Sequence, residues 1–149
     1  MPTARSLGLT LLLLLTAQLA SAQTRRSNLC ALFTTAEIEK LLGTSVEPGE
    51  PAAMGTGCQW FGKDEVSYVI IQVLPPDNWI DPRQAPGYEM IQGAGKRAYS
   101  HRETQSTSGK GGWRAMALSN DTAVTVVLVG DTAKRTSAVP LLRQLLERL

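Results

Sequence analysis

Residues 58–74 read Cys58-Gln59-Trp60-Phe61-Gly62-Lys63-Asp64-Glu65-Val66-Ser67-Tyr68-Val69-Ile70-Ile71-Gln72-Val73-Leu74. Two runs rich in aromatic and β-branched residues flank a polar Gly-Lys-Asp-Glu break, the pattern of two strands joined by a turn. The second run, 66–74, is largely apolar on both of its alternating faces, which suits a strand in the middle of a sheet. Pro75 and Pro76 end it, because proline fixes its φ and has no N–H to give to a ladder.

Working outward toward the C-terminus, the chain is irregular to Pro86 and carries Trp79 on the way. Residues 87–92 read as one or two helical turns before Gly93-Ala94-Gly95. Residues 96–102 read as a strand, 103–111 as a loop rich in Ser, Thr and Gly, and 112–119 as the next strand. Asn120-Asp121 supplies a hairpin turn into 122–129 (Thr-Ala-Val-Thr-Val-Val-Leu-Val), the last strand. The tail from about 132 to 148 has helical spacing: Val139, Leu142, Leu145, Leu146 and Leu149 form an apolar stripe with Leu141 at its edge. Pro140 lies inside this pattern, where it either opens the stronger half of the helix or kinks it.

Outward toward the N-terminus, residues 44–57 read as a loop rich in Gly and Pro. Thr34-Thr35-Ala36-Glu37 fits a capping box with Thr34 as N-cap, and Ile38, Leu41 and Leu42 follow on one helical face up to a terminating Gly43. A short helix is thus expected over 35–42. Together these elements predict an α+β fold: a largely antiparallel sheet of about five strands, with the N-terminal and C-terminal helices packed on one face.

The chain has two cysteines, Cys30 and Cys58, 28 positions apart. Two thiols and one distant histidine cannot make a four-ligand metal site, so the pair is expected as a disulfide rather than a metal centre. On the chain-entropy account such a bridge stabilises by roughly 3–4 kcal/mol. The compartment agrees. Arg5, the apolar run Leu7 to Leu15 and the Ala20-Ser21-Ala22 cleavage site are the three parts of a secretory signal peptide. The apolar run is shorter than the roughly 20 residues a membrane span needs. The expected organisation is a signal peptide over 1–22, cleaved after Ala22, and a single exported domain over 23–149, periplasmic or secreted, with no span in the mature chain. Gln23, not a cysteine, follows the cleavage site, which argues against a lipid anchor. Removal of Arg5 with the leader leaves 14 basic against 13 acidic side chains. That balance gives no electrostatic footprint for nucleic acid.

Cys30-Ala31-Leu32-Phe33-Thr34, Ala36-Glu37-Ile38, Leu41-Leu42-Gly43 and Cys58-Gln59-Trp60 together resemble the opening of several uncharacterised exported or lipoprotein domain families of bacteria. Gly93-Ala94-Gly95-Lys96-Arg97-Ala98-Tyr99 is similar to a Gly-x-Gly-x-x-Ala-Tyr segment that those domains carry before a β-hairpin. The resemblance spans most of the mature chain and implies a fold and a compartment. It brings no activity, and it departs from the lipoprotein members in lacking the lipidated cysteine.

Candidate chemistry is sparse. His101, the one histidine, could serve as a general base, and Ser106 and Ser108 lie near it in sequence. No nucleophile-elbow motif frames either serine, so a surface histidine on a strand is the plainer reading. Ser108-Gly109-Lys110-Gly111 fails as a phosphate loop, because position 104 is Thr and position 111 is Gly. Asp77 and Asp81 flank Trp79, and a sugar or peptide could stack on that indole between them; an indole plugging the edge of a small core is the alternative. Core packing is expected for Trp60 and Trp113. Asn120-Asp121-Thr122 matches a glycosylation sequon, which matters only in a eukaryotic secretory host. No cofactor and no metal are implied. The expected function is a non-catalytic exported binding or accessory domain that contacts a protein partner or small ligand through Trp79, Asp77, Asp81 and His101. A small hydrolase using His101 and an inhibitor or immunity-type protein are the alternatives.

Overall fold

The computed structural model of the chain describes residues 29–149 apart from 105, 107 and 120. The expected signal peptide and residues 23–28 lie outside the described residues.

The N-terminal helix α1 spans Thr35–Leu42, as its cap predicts. Thr34 Oγ1 accepts from the Glu37 N–H at 3.3 Å, and Glu37 Oε2 accepts from the Thr34 N–H at 2.7 Å. Gly43 ends the helix with φ 68°, a left-handed value that favours glycine. Seven strands follow: β1 Glu50–Ala52, β2 Gly57–Phe61, β3 Tyr68–Leu74, β4 Glu89–Met90, β5 Arg97–Glu103, β6 Gly112–Leu118 and β7 Ala123–Val129. Helix α2, Arg135–Arg148, closes the chain. Every strand pair is antiparallel, in the order β1-β2-β3-β7-β6-β5-β4.

The sheet therefore has seven strands where five were expected. The two additions are its edges. β1 lies in the supposed Gly/Pro loop 44–57 and is only three residues long. It carries Pro51, which is tolerated there because an outermost strand has one side of its ladder unpaired. β4 replaces the helical turns expected over 87–92 and is two residues long, Glu89 opposite Ser100 and Met90 opposite Tyr99. Neither is long enough to show a periodicity of its own.

The central position expected for β3 holds, with β2 and β7 on either side. β7 is buried along its whole length. Val69, Ile71, Ala115, Ala117, Val124, Val126 and Leu128 point to one face and meet Ile38 and Leu42 of α1 and Ala138, Leu141, Leu142 and Leu145 of α2 in a single core. The α2 stripe differs from the expected one by a slight rotation. Leu141 is buried at 1% exposure and Leu149 is 52% exposed, because the face that meets the sheet runs 138, 141, 142, 145.

Cys30 and Cys58 form the expected disulfide, with Cα atoms 5.1 Å apart. It ties the single 3₁₀ turn Leu29–Leu32 to β2. Phe33 meets the buried Trp60 edge-on, with ring centroids 6.4 Å apart. Gly49 passes over this junction so closely that a Cβ there would lie 2.4 Å from Trp60 Nε1 and 3.0 Å from Cys58 Sγ. Trp113, by contrast with Trp60, is only partly buried and carries Arg102 over its ring at 5.4 Å. Among the described residues no helix is long and apolar enough to cross a membrane.

Candidate functional site

The two helices cover one face of the sheet. The other face is crossed by the proline-rich stretch 75–86, a strap that leaves β3, makes a 3₁₀ turn over Pro76–Asn78 and returns toward β4. Pro75, Pro76, Pro82 and Pro86 preset the backbone of this segment, which lowers the entropy of holding it in place.

Tyr99 of β5 anchors the strap. Its hydroxyl donates to the Ile80 carbonyl and lies 2.9 Å from Met116 Sδ. Its ring is 2% exposed and sits among Trp79 (5.0 Å), Tyr88 (5.5 Å) and His101 (6.0 Å). Burial, followed by the nearby negative charge of Asp81, pushes the Tyr99 hydroxyl well above the usual phenol range. It therefore stays a hydrogen-bond donor at any physiological pH.

On one side of the strap lies a groove of about 510 Å³, between Asn78, Ile80 and Pro82 above and Gln72, Met116, Arg114 and His101 below. The register explains why these polar groups share the helix-free face. His101 pairs with Arg114, Tyr99 with Met116, and Met116 with Thr125, which in turn faces Gln72. Arg114 binds Glu103 through Nη2 at 2.6 Å and Nε at 2.9 Å, and the Glu103 side chain is only 7% exposed. Burial, then the Glu103 charge, raises the Tyr68 hydroxyl above its ordinary value. His101 Nδ1 lies 2.8 Å from the Arg102 carbonyl. A carbonyl can only accept, so the hydrogen of the neutral ring sits on Nδ1 and Nε2 carries the lone pair.

On the strap's other side a second cleft of about 470 Å³ is lined by Trp79, Asp81, Arg83, Tyr88, Met90, Arg97 and Tyr99. Asp81 is paired with Arg83 at 3.1 Å within the strap itself. The Trp79 indole N–H is buried and has no hydrogen-bond acceptor among the described residues. A more apolar recess of about 470 Å³ lies where Leu29, Leu74, Leu146 and Leu149 meet, with Asp121 as the one titratable side chain in its lining. It offers shape but little chemistry, and the strap region is the better candidate.

Three of the four residues singled out from the sequence, Trp79, Asp81 and His101, thus gather around Tyr99. Asp77 does not join them; it is exposed in the 3₁₀ turn and lines neither cleft. Trp79 is both a packing residue on Tyr99 and part of a cleft wall, so the two readings of it coexist. Ser106 and Ser108 direct their hydroxyls into their own loop: Ser106 Oγ donates to the Lys110 carbonyl at 2.7 Å and lies 3.2 Å from Ser108 Oγ. Lys110 fastens that loop to Asp131 at 2.7 Å. Sequence reasoning missed Tyr99, Glu103 and Arg114. The signal was present in β5, where Tyr99, His101 and Glu103 alternate and must share a face. Among the described residues no group of three or more acidic, His or Cys side chains is placed to hold a metal ion.

No protein-family model matches the chain, and neither the curated proteins nor the solved structures contain a match to it.

Proposed function

We propose that the chain is an exported binding domain of the kind suggested by its resemblance to uncharacterised bacterial exported domains, and that it engages its ligand or partner at the strap, without chemistry of its own. The observation that carries this reading is the groove between the strap and the helix-free sheet face, where His101 Nε2, Gln72 and the Arg114–Glu103 pair converge on a volume suited to a small ligand or a protruding side chain. Such sites combine apolar walls with a few placed polar groups, and here the walls are Ile80, Pro82 and Met116. Export is supported by the signal-peptide pattern of residues 1–22 and by a disulfide, which persists in an oxidising compartment. The rigid antiparallel sheet supplies the platform, and the loops at its margin supply the contact surface.

The test is in-cell crosslinking followed by purification from the exported fraction, with the intact mass reporting cleavage after Ala22. Trp79→Ala and, separately, deletion of 104–110 should each reduce the recovered crosslinked species several-fold, while the isolated variants keep a cooperative thermal transition. Undiminished crosslinking in both variants would remove the strap from the function.

A further inference from the structure

The cleft on the β4 side of the strap is rich in hydrogen-bond donors and poor in acceptors. Arg97 is exposed on the sheet face that carries Tyr99, and its guanidinium has no ion-pair or hydrogen-bond partner among the described residues. The Trp79 indole N–H is buried without an acceptor, which is costly because the water it gives up on folding is not replaced. Asp81, the one carboxylate among the described residues that line the cleft, is already paired with Arg83 at 3.1 Å. Its remaining walls are apolar or aromatic: Tyr88, Tyr99, Ala98 and Met90, the last 63% exposed.

We propose that this cleft binds a small organic carboxylate carried on an apolar or aromatic body, with Arg97 and the Trp79 N–H taking the carboxylate and Tyr88 and Met90 flanking the body. The proposal rests on the reading of the strap as the binding region and specifies the ligand class. Two donors on two side chains match the two oxygens of a planar carboxylate. A phosphate dianion calls for more positive charge than one unpaired guanidinium supplies. A cationic ligand would meet Arg97 and Arg83 with no open carboxylate to receive it. The volume, about 470 Å³, is in the range of small-molecule sites. The Trp79 Nε1 atom is closed off from solvent, so the proposed binding includes a small outward shift of the strap. That shift gives the orphaned donor its acceptor.

The test is titration of the ¹⁵N-labelled full chain with phenylacetate, phenylacetamide, phenethylamine and phenyl phosphate, followed by amide and indole N–H spectra. Phenylacetate is expected to shift the Trp79 indole resonance and the amides of 79–90 and 97–99 saturably. The neutral amide should bind about tenfold more weakly, and the amine should not bind. Trp79→Phe, which keeps an aromatic ring but removes the N–H, and Arg97→Gln should each weaken phenylacetate about tenfold or more, with a cooperative thermal transition retained in both. Equal binding of phenylacetate and phenylacetamide, tighter binding of phenyl phosphate, or unaltered affinity in Arg97→Gln would overturn the carboxylate assignment. If the amide or the amine shifts the strap instead, the strap remains the binding region and only the ligand class falls. If no probe moves residues 79–90, and crosslinking survives the strap variants, both the class and the region fall.

Discussion

Arg148, the last residue of α2, holds three groups at the start of the domain. Its Nη2 lies 2.7 Å from Glu37 Oε1, its Nη1 donates to the Leu32 carbonyl, and its guanidinium sits 4.4 Å from the centre of the Phe33 ring. Glu37 is therefore shared between its cap and Arg148. The hydrogen bond from Arg148 first, then the Thr34 backbone N–H, lowers its carboxyl from 4.5 to about 2. A carboxylate with a depressed folded-state pKa stabilises the fold above its unfolded pKa, and that contribution is lost as pH falls through the folded value. Glu37→Gln, which preserves the capping geometry, should lower Tm at neutral pH. The difference from the unaltered chain should close as pH falls from 4.5 toward 2, and added salt should shrink it, because the pair is exposed. Thermal melts across that window check it; a gap independent of pH would show that the charge of Glu37 is not what stabilises this junction. The cap was legible in the sequence because Thr34 and Glu37 are three residues apart. Arg148 was not, because its partner lies 111 positions away and nothing in a helical stripe marks which arginine reaches back.

The longer strands were equally legible as elements: β-branched apolar runs marked β3 and β7, and the Gly, Pro and Asn-Asp breaks around them set off β2, β5 and β6, all to within a residue or two of their ends. β1 and β4 were not, because strands of three and two residues exist only through the neighbour they pair with. These short edges also limit the ladder offered to another chain, and Pro51 withholds a donor from one of them. Pro140 is the element-scale conflict. It is exposed in the interior of α2, where it has no N–H for the Thr136 carbonyl and its ring crowds that carbonyl. Alanine there restores a hydrogen bond and a good helix former, against a smaller loss from the greater freedom of the unfolded chain. Pro140→Ala is expected to raise stability by about 1–2 kcal/mol in denaturant unfolding. A loss instead would show that Pro140 is what holds Ala138 and Leu141 against the sheet.

At the scale of the whole molecule, the sequence carried the layers but not the sheet order. Pairing of β3 with β7 joins positions as far apart as Tyr68 and Val129, and no local pattern specifies it. The same pairing builds the candidate site, since it brings Gln72 opposite Thr125 and, through β6, beside Met116 and Tyr99. This is why the sequence yielded Trp79 and His101 as separate points rather than as a groove. The disulfide divides the molecule differently. β3, β7, β6, β5 and α2 pack on one another without help from the bridge, whereas the Leu29–Leu32 turn that leads into α1 is tied to β2 by Cys30–Cys58, although α1 shares the same core. Removing that bridge in a Cys30→Ser, Cys58→Ser double variant releases unfolded-state entropy and places a polar hydroxyl at position 58, which is fully buried against Trp60 and Gly49. The expected cost is about 2–5 kcal/mol, a fall in Tm of about 10 °C or more. The loss should also be uneven. Hydrogen exchange should accelerate across 29–61 first, with β5 to β7 retaining protection closer to that of the intact chain. If exchange rises equally in β6 and β7, the N-terminal layer and the sheet unfold as one unit. The strap would then lose its platform whenever the bridge is reduced, which makes ligand binding at Tyr99 redox-dependent; if protection is retained there, binding should survive reduction.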